Sequence, residues 1–310
     1  MVDIMNRTKK LLNILFSLIT LFVFYLFITN YDTTIHKINR FIDKVSGYEV
    51  VIPKDQTKNK RNYNYKSFKE TTNFEPKNID DIKAIYYTVL NEGWDEFTFY
   101  CRSEYENCAN DVRTVADDSE YVSLINNYVS PFNSYKKYNT LVTGDKEIYL
   151  SIDKTYTKEQ TEYLINYFNN LIDSLKIDRK SITKENIKSI HNHLINNITY
   201  DDDYTKTQDE NSTTAYGAIT TKKAICGGYT DAFAIAMDIL NIPNFKVSSK
   251  EHIWNVIYYN NAWYHIDVTW DDDEINKNNN TNFFMINTDT LLKKDKKDHN
   301  FNIAFYKELY

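Results

Sequence analysis

Eighteen consecutive residues, Leu11 to Ile28 (LLNILFSLITLFVFYLFI), carry no charge. As one helix they would extend about 27 Å, close to the apolar thickness of a bilayer. Arg7, Lys9 and Lys10 precede the stretch, and Asp32 is the first charge after it. Cationic flanks stay cytoplasmic, so the expectation is a single-pass transmembrane anchor. Residues 1–30 would be the cytoplasmic tip and the span, with everything later extracytoplasmic. A cleaved signal peptide is the rival reading. It calls for a shorter apolar region and a small-residue cleavage site, and TNYDTT after Ile28 supplies none.

Beyond the anchor the pattern changes three times. Residues 31–76 read as a juxtamembrane segment followed by a polar spacer. The run PKDQTKNKRNYNYKSFKETTNFEP at 53–76 has no apolar period and Pro at or near each end. Residues 77–176 read as a small α+β region. Ile79, Ile82, Ile85, Tyr86, Val89 and Leu90 recur at helical spacing, whereas EFTFY at 96–100 and EIYLSI at 147–152 alternate like strands. Thr157 and Gln160 form a capping-box pattern before a helix bearing Leu164, Ile165, Phe168, Leu171, Ile172 and Leu175. Residues 177–310 hold the remaining elements: a helix starting at Ser181 or Thr183, a second helix after Ile225, and two strands around Asn260–Asn261.

The second helix places Cys226 in, or just before, its first turn. Tyr229, Ala232, Phe233, Ala236, Met237 and Leu240 share one face, and Pro243 follows its end. Free N–H groups and the positive dipole end favour a thiolate there. Thiols so placed fall from about 8.5 to roughly 3.5–7.5. Gly227 and Gly228 are two of only six glycines. They read as open space beside the sulfur for a substrate carbonyl, close helix packing being the alternative.

A nucleophilic thiol needs a base. In KEHIWNVIYYNNAWYHIDVTW the turn Asn260–Asn261 suits residues that tolerate positive φ, which pairs Tyr259 with Ala262 and sets Trp254 opposite Asp267. His252 then shares a face with Asp267 at a diagonal of about 7–8 Å. Cys226, His252 and Asp267 thus form a candidate triad, with His265 as the reserve base. Ile253, Ile257, Ile266 and Val268 make the opposite, core face.

These blocks, AYGAI, ICGGYTDAF, HIWN and WYHIDVTWDD, closely resemble the transglutaminase-like domain of bacterial proteins, a branch of the papain-like cysteine enzymes. The resemblance runs from about Thr183 to FFMIN at 283–287, and more loosely residues 77–176 resemble the upstream region of similar clostridial-type proteins. It implies an α+β fold in which a papain-like core sets the Cys, at a helix N-terminus, against an antiparallel sheet. It also implies that Cys226, His252 and Asp267 act by acyl transfer through a thioester, with release by water or by an amine, and with neither a metal nor an organic cofactor. The oxyanion would meet the Cys226 N–H and a second donor, for which Tyr216 is the candidate. Trp254 is a candidate for the substrate cleft, along with Trp263 and Trp270 as cleft walls or hairpin cover.

The formal net charge of −6 leaves no basic excess, which argues against nucleic acid as a partner. A protein or peptide substrate, cell-wall associated or not, is expected instead. A non-catalytic cell-surface binding module on the same fold is the alternative from another class. In an oxidising compartment Cys101 and Cys108 are a disulfide candidate and Cys226 stays free; two packed thiols are the alternative. Asp271, Asp272, Asp273 and Glu274 lack the spacing of a calcium loop and read as a solvated turn. His191 and His193 point to different helix faces, so no metal site is expected there. Asn211-Ser-Thr213 is a glycosylation sequon only in a host that glycosylates, and the Lys/Asn/Ile-rich composition suggests an AT-rich bacterium.

Overall fold

A computed structural model describes residues 17–21, 25, 48–54, 59–144, 146–272 and 281–310. Most of the expected anchor at 11–28, the juxtamembrane residues 31–47 and part of the acidic run, Asp273 and Glu274, lie outside the described residues. Among the described residues no helix is long and apolar enough to cross a membrane.

The chain is a mixed helix and sheet protein. Helix α1 (Ile79–Glu92) starts where the Asn78 side chain accepts from the Asp81 N–H, and it ends at Gly93, whose φ of 71° is left-handed. Strand β1 (Glu96–Tyr100) follows, then helices α2 (Cys108–Asp117) and α3 (Ser119–Tyr128). Strands β2 (Tyr135–Thr143) and β3 (Glu147–Lys154) complete an antiparallel sheet of order β1-β3-β2. Cys101 and Cys108 form a disulfide, as expected, and Cys226 is free.

Helices α4 (Lys158–Ser174) and α5 (Lys184–Asn197) both open with capping boxes, at Thr157/Gln160 and Thr183/Asn186. Next come β4 (Thr199–Tyr200), the short α6 (Tyr204–Thr207), a 3-10 turn at Glu210–Thr213, α7 (Ala215–Thr221) and β5 (Lys223–Ala224), which pairs in parallel with β4. Helix α8 (Cys226–Ile239) leads into the second sheet: β6 (Asn244–Ser248), β7 (Ile253–Tyr259), β8 (Ala262–Ile266), the single turn α9 (Val268–Asp271) and β9 (Phe284–Ile286). Helix α10 (Thr288–Lys294) and two 3-10 turns end the chain. This sheet is antiparallel in the order β6-β7-β8-β9.

The hairpin has the expected register, Tyr259 opposite Ala262, with Asn260 and Asn261 at φ of 47° and 63°. Alternation along β7 and β8 divides the sheet between two cores. Ile257, Ile266 and Phe284 pack with α4, α5 and α8, whereas Phe245, Val247, Trp254 and Val256 pack with the N-terminal region.

Two expectations about organisation fail here. Residues 59–76 are not a solvated spacer. Tyr65, Phe68 and Phe74 are buried, and the Arg61 guanidinium donates to Asp238, Asn244 and the Tyr128 carbonyl. The polar run carries enough aromatic surface to be drawn into the core. A boundary at 176/177 also fails to separate two cores. Leu164, Phe168, Leu171 and Ile172 of α4 share one core with Ile187, Ile190, Tyr229 and Phe233, because α4 has no other apolar face to bury against.

Candidate active site

Cys226 is the first residue of α8, preceded by Ile225, whose side chain gives no cap. The Gly228 N–H turns back to the Ile225 carbonyl at 3.0 Å, and the sulfur stands at the positive end of the helix. Ile225 donates its N–H to the Ser212 carbonyl at 2.8 Å, which fixes where the helix begins. The two glycines that follow are not open space. A Cβ on Gly228 would lie 2.8 Å from the Ser212 carbonyl oxygen and 2.9 Å from Ala224 Cβ, and one on Gly227 3.0 Å from the Thr213 oxygen. The close-packing alternative holds: the glycines let the 212–214 backbone lie against α8.

His252 sits just before β7. Its N–H donates to Ser249 Oγ at 3.2 Å, and its carbonyl accepts from the Ser249 N–H at 2.9 Å. This tight turn aims the ring. Nε2 lies 2.5 Å from Asp267 Oδ2, and Cys226 lies close enough to the ring to help raise its pKa. Burial alone would lower the pKa of His252. The Asp267 charge, with its hydrogen bond, and Cys226 outweigh it and push the value up to about 10. Asp267 caps α9, accepting the Trp270 N–H on Oδ1 at 3.0 Å. Burial opposes its charge, yet His252 and His299 hold its carboxyl down at about 2. The structure thus sets His252 against Asp267, the pair that hairpin parity placed near one another, and brings Cys226 at the start of α8 to the same ring.

Other expectations are corrected. His265 is fully buried. Its Nδ1 accepts the Trp254 indole N–H at 2.9 Å and its Nε2 faces Thr288 Oγ1 at 3.1 Å. Burial, then the charge of His299, press its pKa down to about 3, so it is a neutral core histidine and not a reserve base. Trp254 is likewise fully buried and cannot line a cleft; its ring stacks on His252 at 5.6 Å. Trp270, 37% exposed and 6.2 Å from the His252 ring, is the tryptophan at the site's surface. Trp263 lies on the same sheet face farther along the hairpin, against Tyr63 and Phe245.

Asp271 and Asp272 are not a solvated turn. Asp271 is buried, meeting His191 Nε2 at 3.1 Å and accepting the Phe283 N–H at 3.0 Å, and Asp272 accepts from the Tyr229 hydroxyl. Tyr216 is half-buried, with its ring edge-on to Tyr163 at 5.5 Å.

Two residues at the site escape a sequence reading. Tyr200 pairs with Ala224, two residues before Cys226, and is 41% exposed. Burial and then the Cys226 charge raise its pKa, so the hydroxyl keeps its proton. The β4–β5 pairing that brings it there is two residues long, too short to announce itself. The second is His299, whose Nε2 lies 2.9 Å from Asp267 Oδ2. His252, Asp267 and His299 bring three potential ligand atoms within 4.8 Å of one another. The 2.5 and 2.9 Å separations are hydrogen-bond distances, so the trio reads as a proton-linked cluster rather than a metal centre.

A search of curated proteins gives no match to this chain. Among solved structures, a TGase superposes with a TM-score of 0.33 at 20% identity, over 44% of this chain and 44% of that one. A protein from Cytophaga hutchinsonii described as a candidate cysteine protease gives a TM-score of 0.26 at 13% identity, over 43% of this chain and 61% of the other. The chain therefore spans less than two thirds of either. The family model of the transglutaminase-like superfamily matches residues 174–268, a span that includes Cys226, His252 and Asp267, so this chain carries a transglutaminase-like domain.

Proposed function

We propose that the protein is a cysteine enzyme that acts on amide bonds through a thioester. The observation that carries this reading is the continuous path from Cys226, at the start of α8, through the His252 ring to Asp267 Oδ2 at 2.5 Å. The Cys226 sulfur attacks the carbonyl carbon of a Gln side chain or a peptide bond. The thiol proton resides on His252 and passes to the departing nitrogen as the C–N bond breaks. The resulting thioester is released by water, giving an acid, or by an amine, giving an isopeptide. Asp267 orients the ring and balances its charge. The oxyanion meets the Cys226 N–H and the Tyr200 hydroxyl, which takes the place of Tyr216 in this role.

The substrate is a protein or peptide at the cell surface, and the enzyme is anchored by residues 11–28 with its folded part outside the membrane. The cationic flank Arg7, Lys9 and Lys10 supports that orientation. The Cys101–Cys108 disulfide supports an oxidising compartment.

A biotinylated primary amine, supplied with Gln-containing protein, tests the chemistry. The expected result is either amine incorporation or release of ammonia or new termini, lost in Cys226→Ala. Binding of the same protein with neither product, unchanged in Cys226→Ala, would instead favour a surface module without catalysis.

A further inference from the structure

The triad carboxylate serves two histidines. His299, in the segment after α10, is fully buried. Its Nε2 is 2.9 Å from Asp267 Oδ2 and its Nδ1 is 2.8 Å from Asp295 Oδ2. Phe283 stacks on the ring at 5.3 Å, Trp254 and Trp270 meet it edge-on, and the His252 ring centre is 5.3 Å away. The titratable or charged groups facing it are Asp267, Asp295, His252 and the neutral His265, with Lys294 beyond Phe283.

Both flanking carboxylates are ionised. In each, burial raises the pKa; the histidine contacts, joined at Asp295 by the Asp298 and Lys297 N–H groups, more than offset it. An ionised carboxylate only accepts hydrogen bonds. Both nitrogens of His299 lie at hydrogen-bond distance from a carboxylate oxygen, and a ring that donates at both carries a second proton.

We propose that His299 is a positioning residue of the site: bridging Asp295 and Asp267 as an imidazolium, it fixes the Asp267 carboxylate and takes up part of its charge. This rests on the acyl-transfer reading. A carboxylate paired with His252 alone would hold that ring's proton too firmly for transfer to the departing nitrogen. A second cation at 5.3 Å opposes that hold.

The test is 15N-histidine NMR on the full chain, whose six histidines keep the spectrum simple. Wild type, His299→Gln and Asp295→Asn are titrated. The wild type should show both ring nitrogens of His299 protonated at neutral pH. In either variant the His252 midpoint should rise by about one pH unit, as expected for loss of a nearby like charge. Asp295→Asn keeps the packed ring and serves if His299→Gln does not fold. A purely structural His299 would alter stability and leave the His252 midpoint in place. An unmoved midpoint, or a singly protonated His299 in the wild type, overturns the proposal. Iodoacetamide labelling of Cys226 in wild type and His252→Ala separates the two levels. If His252 has no influence on the thiol, the acyl-transfer reading fails and the proposal with it. If it does, and the midpoint is unmoved, only the role of His299 fails.

Discussion

Arg61 Nε donates to Asp238 Oδ1 at 3.0 Å, joining the segment before α1 to the last turn of the helix that begins at Cys226. Its other nitrogens reach Asn244 and the Tyr128 carbonyl. A residue of an expected spacer therefore braces the far end of the candidate nucleophile's helix. Removing one partner of a buried pair strands the other, at a cost of about 3–5 kcal/mol. Arg61→Ala should lose that much in urea unfolding. Lys136→Ala breaks an exposed pair with Glu210 and should stay within about 0.5 kcal/mol. Equal effects of the two would contradict the bracing role.

Gly228 gives a second prediction. Its added Cβ would press on the Ser212 carbonyl oxygen at 2.8 Å and on Ala224 Cβ at 2.9 Å. Both belong to the backbone frame that sets the start of α8. Gly228→Ala should cost about 1–3 kcal/mol by overpacking and should slow labelling of Cys226. A substitution without effect on either would restore the view that this glycine borders open space.

For Tyr200, loss of one hydrogen bond to a developing oxyanion typically costs about 100-fold or more in turnover. Tyr200→Phe should lower kcat on that scale with KM little changed, and Tyr216→Phe should leave both near wild type. Steady-state kinetics on the amide substrate checks this, and the reverse ranking would return the donor role to Tyr216.

The candidate triad was legible because local rules placed its members. Asn260–Asn261 fixed the hairpin register, the register fixed parity, and parity put His252 with Asp267. The apolar face of α8 fixed Cys226 at a helix start. His299 was not legible: it arrives from beyond α10, and no periodicity connects it to Asp267, 32 residues earlier. Tyr65, Phe68 and Phe74 were missed for a related reason. They lie in irregular backbone, where buried side chains need follow neither a helical nor a strand period. His265 and Trp254 show the converse. Both lie on the same sheet face as the base, yet that face is covered by the N-terminal region, and the two satisfy each other's polar atoms at 2.9 Å.

Stability should follow the same charges. His252 is raised to about 10 from 6.5, so its contribution is complete below 6.5 and is lost as pH rises through 10. Asp267 is lowered to about 2 from 3.8, so its contribution is complete above 3.8 and is lost as pH falls through 2. The stability gap between wild type and Asp267→Asn should be widest between these limits, from 3.8 to 6.5, and should narrow on either side. Urea unfolding across pH reads the gap; one that widens from 6.5 toward 10 would contradict the assignment.

Whether Cys226 and His252 act as one unit is measured most directly by the rate at which iodoacetamide alkylates Cys226. Cys101 and Cys108 are held in a disulfide, so a single thiol reports. An imidazolium beside the sulfur favours thiolate in mildly acidic solution, so at pH about 6 the wild type should react at least about tenfold faster than His252→Ala. Superimposable rates for the two proteins would contradict the pairing.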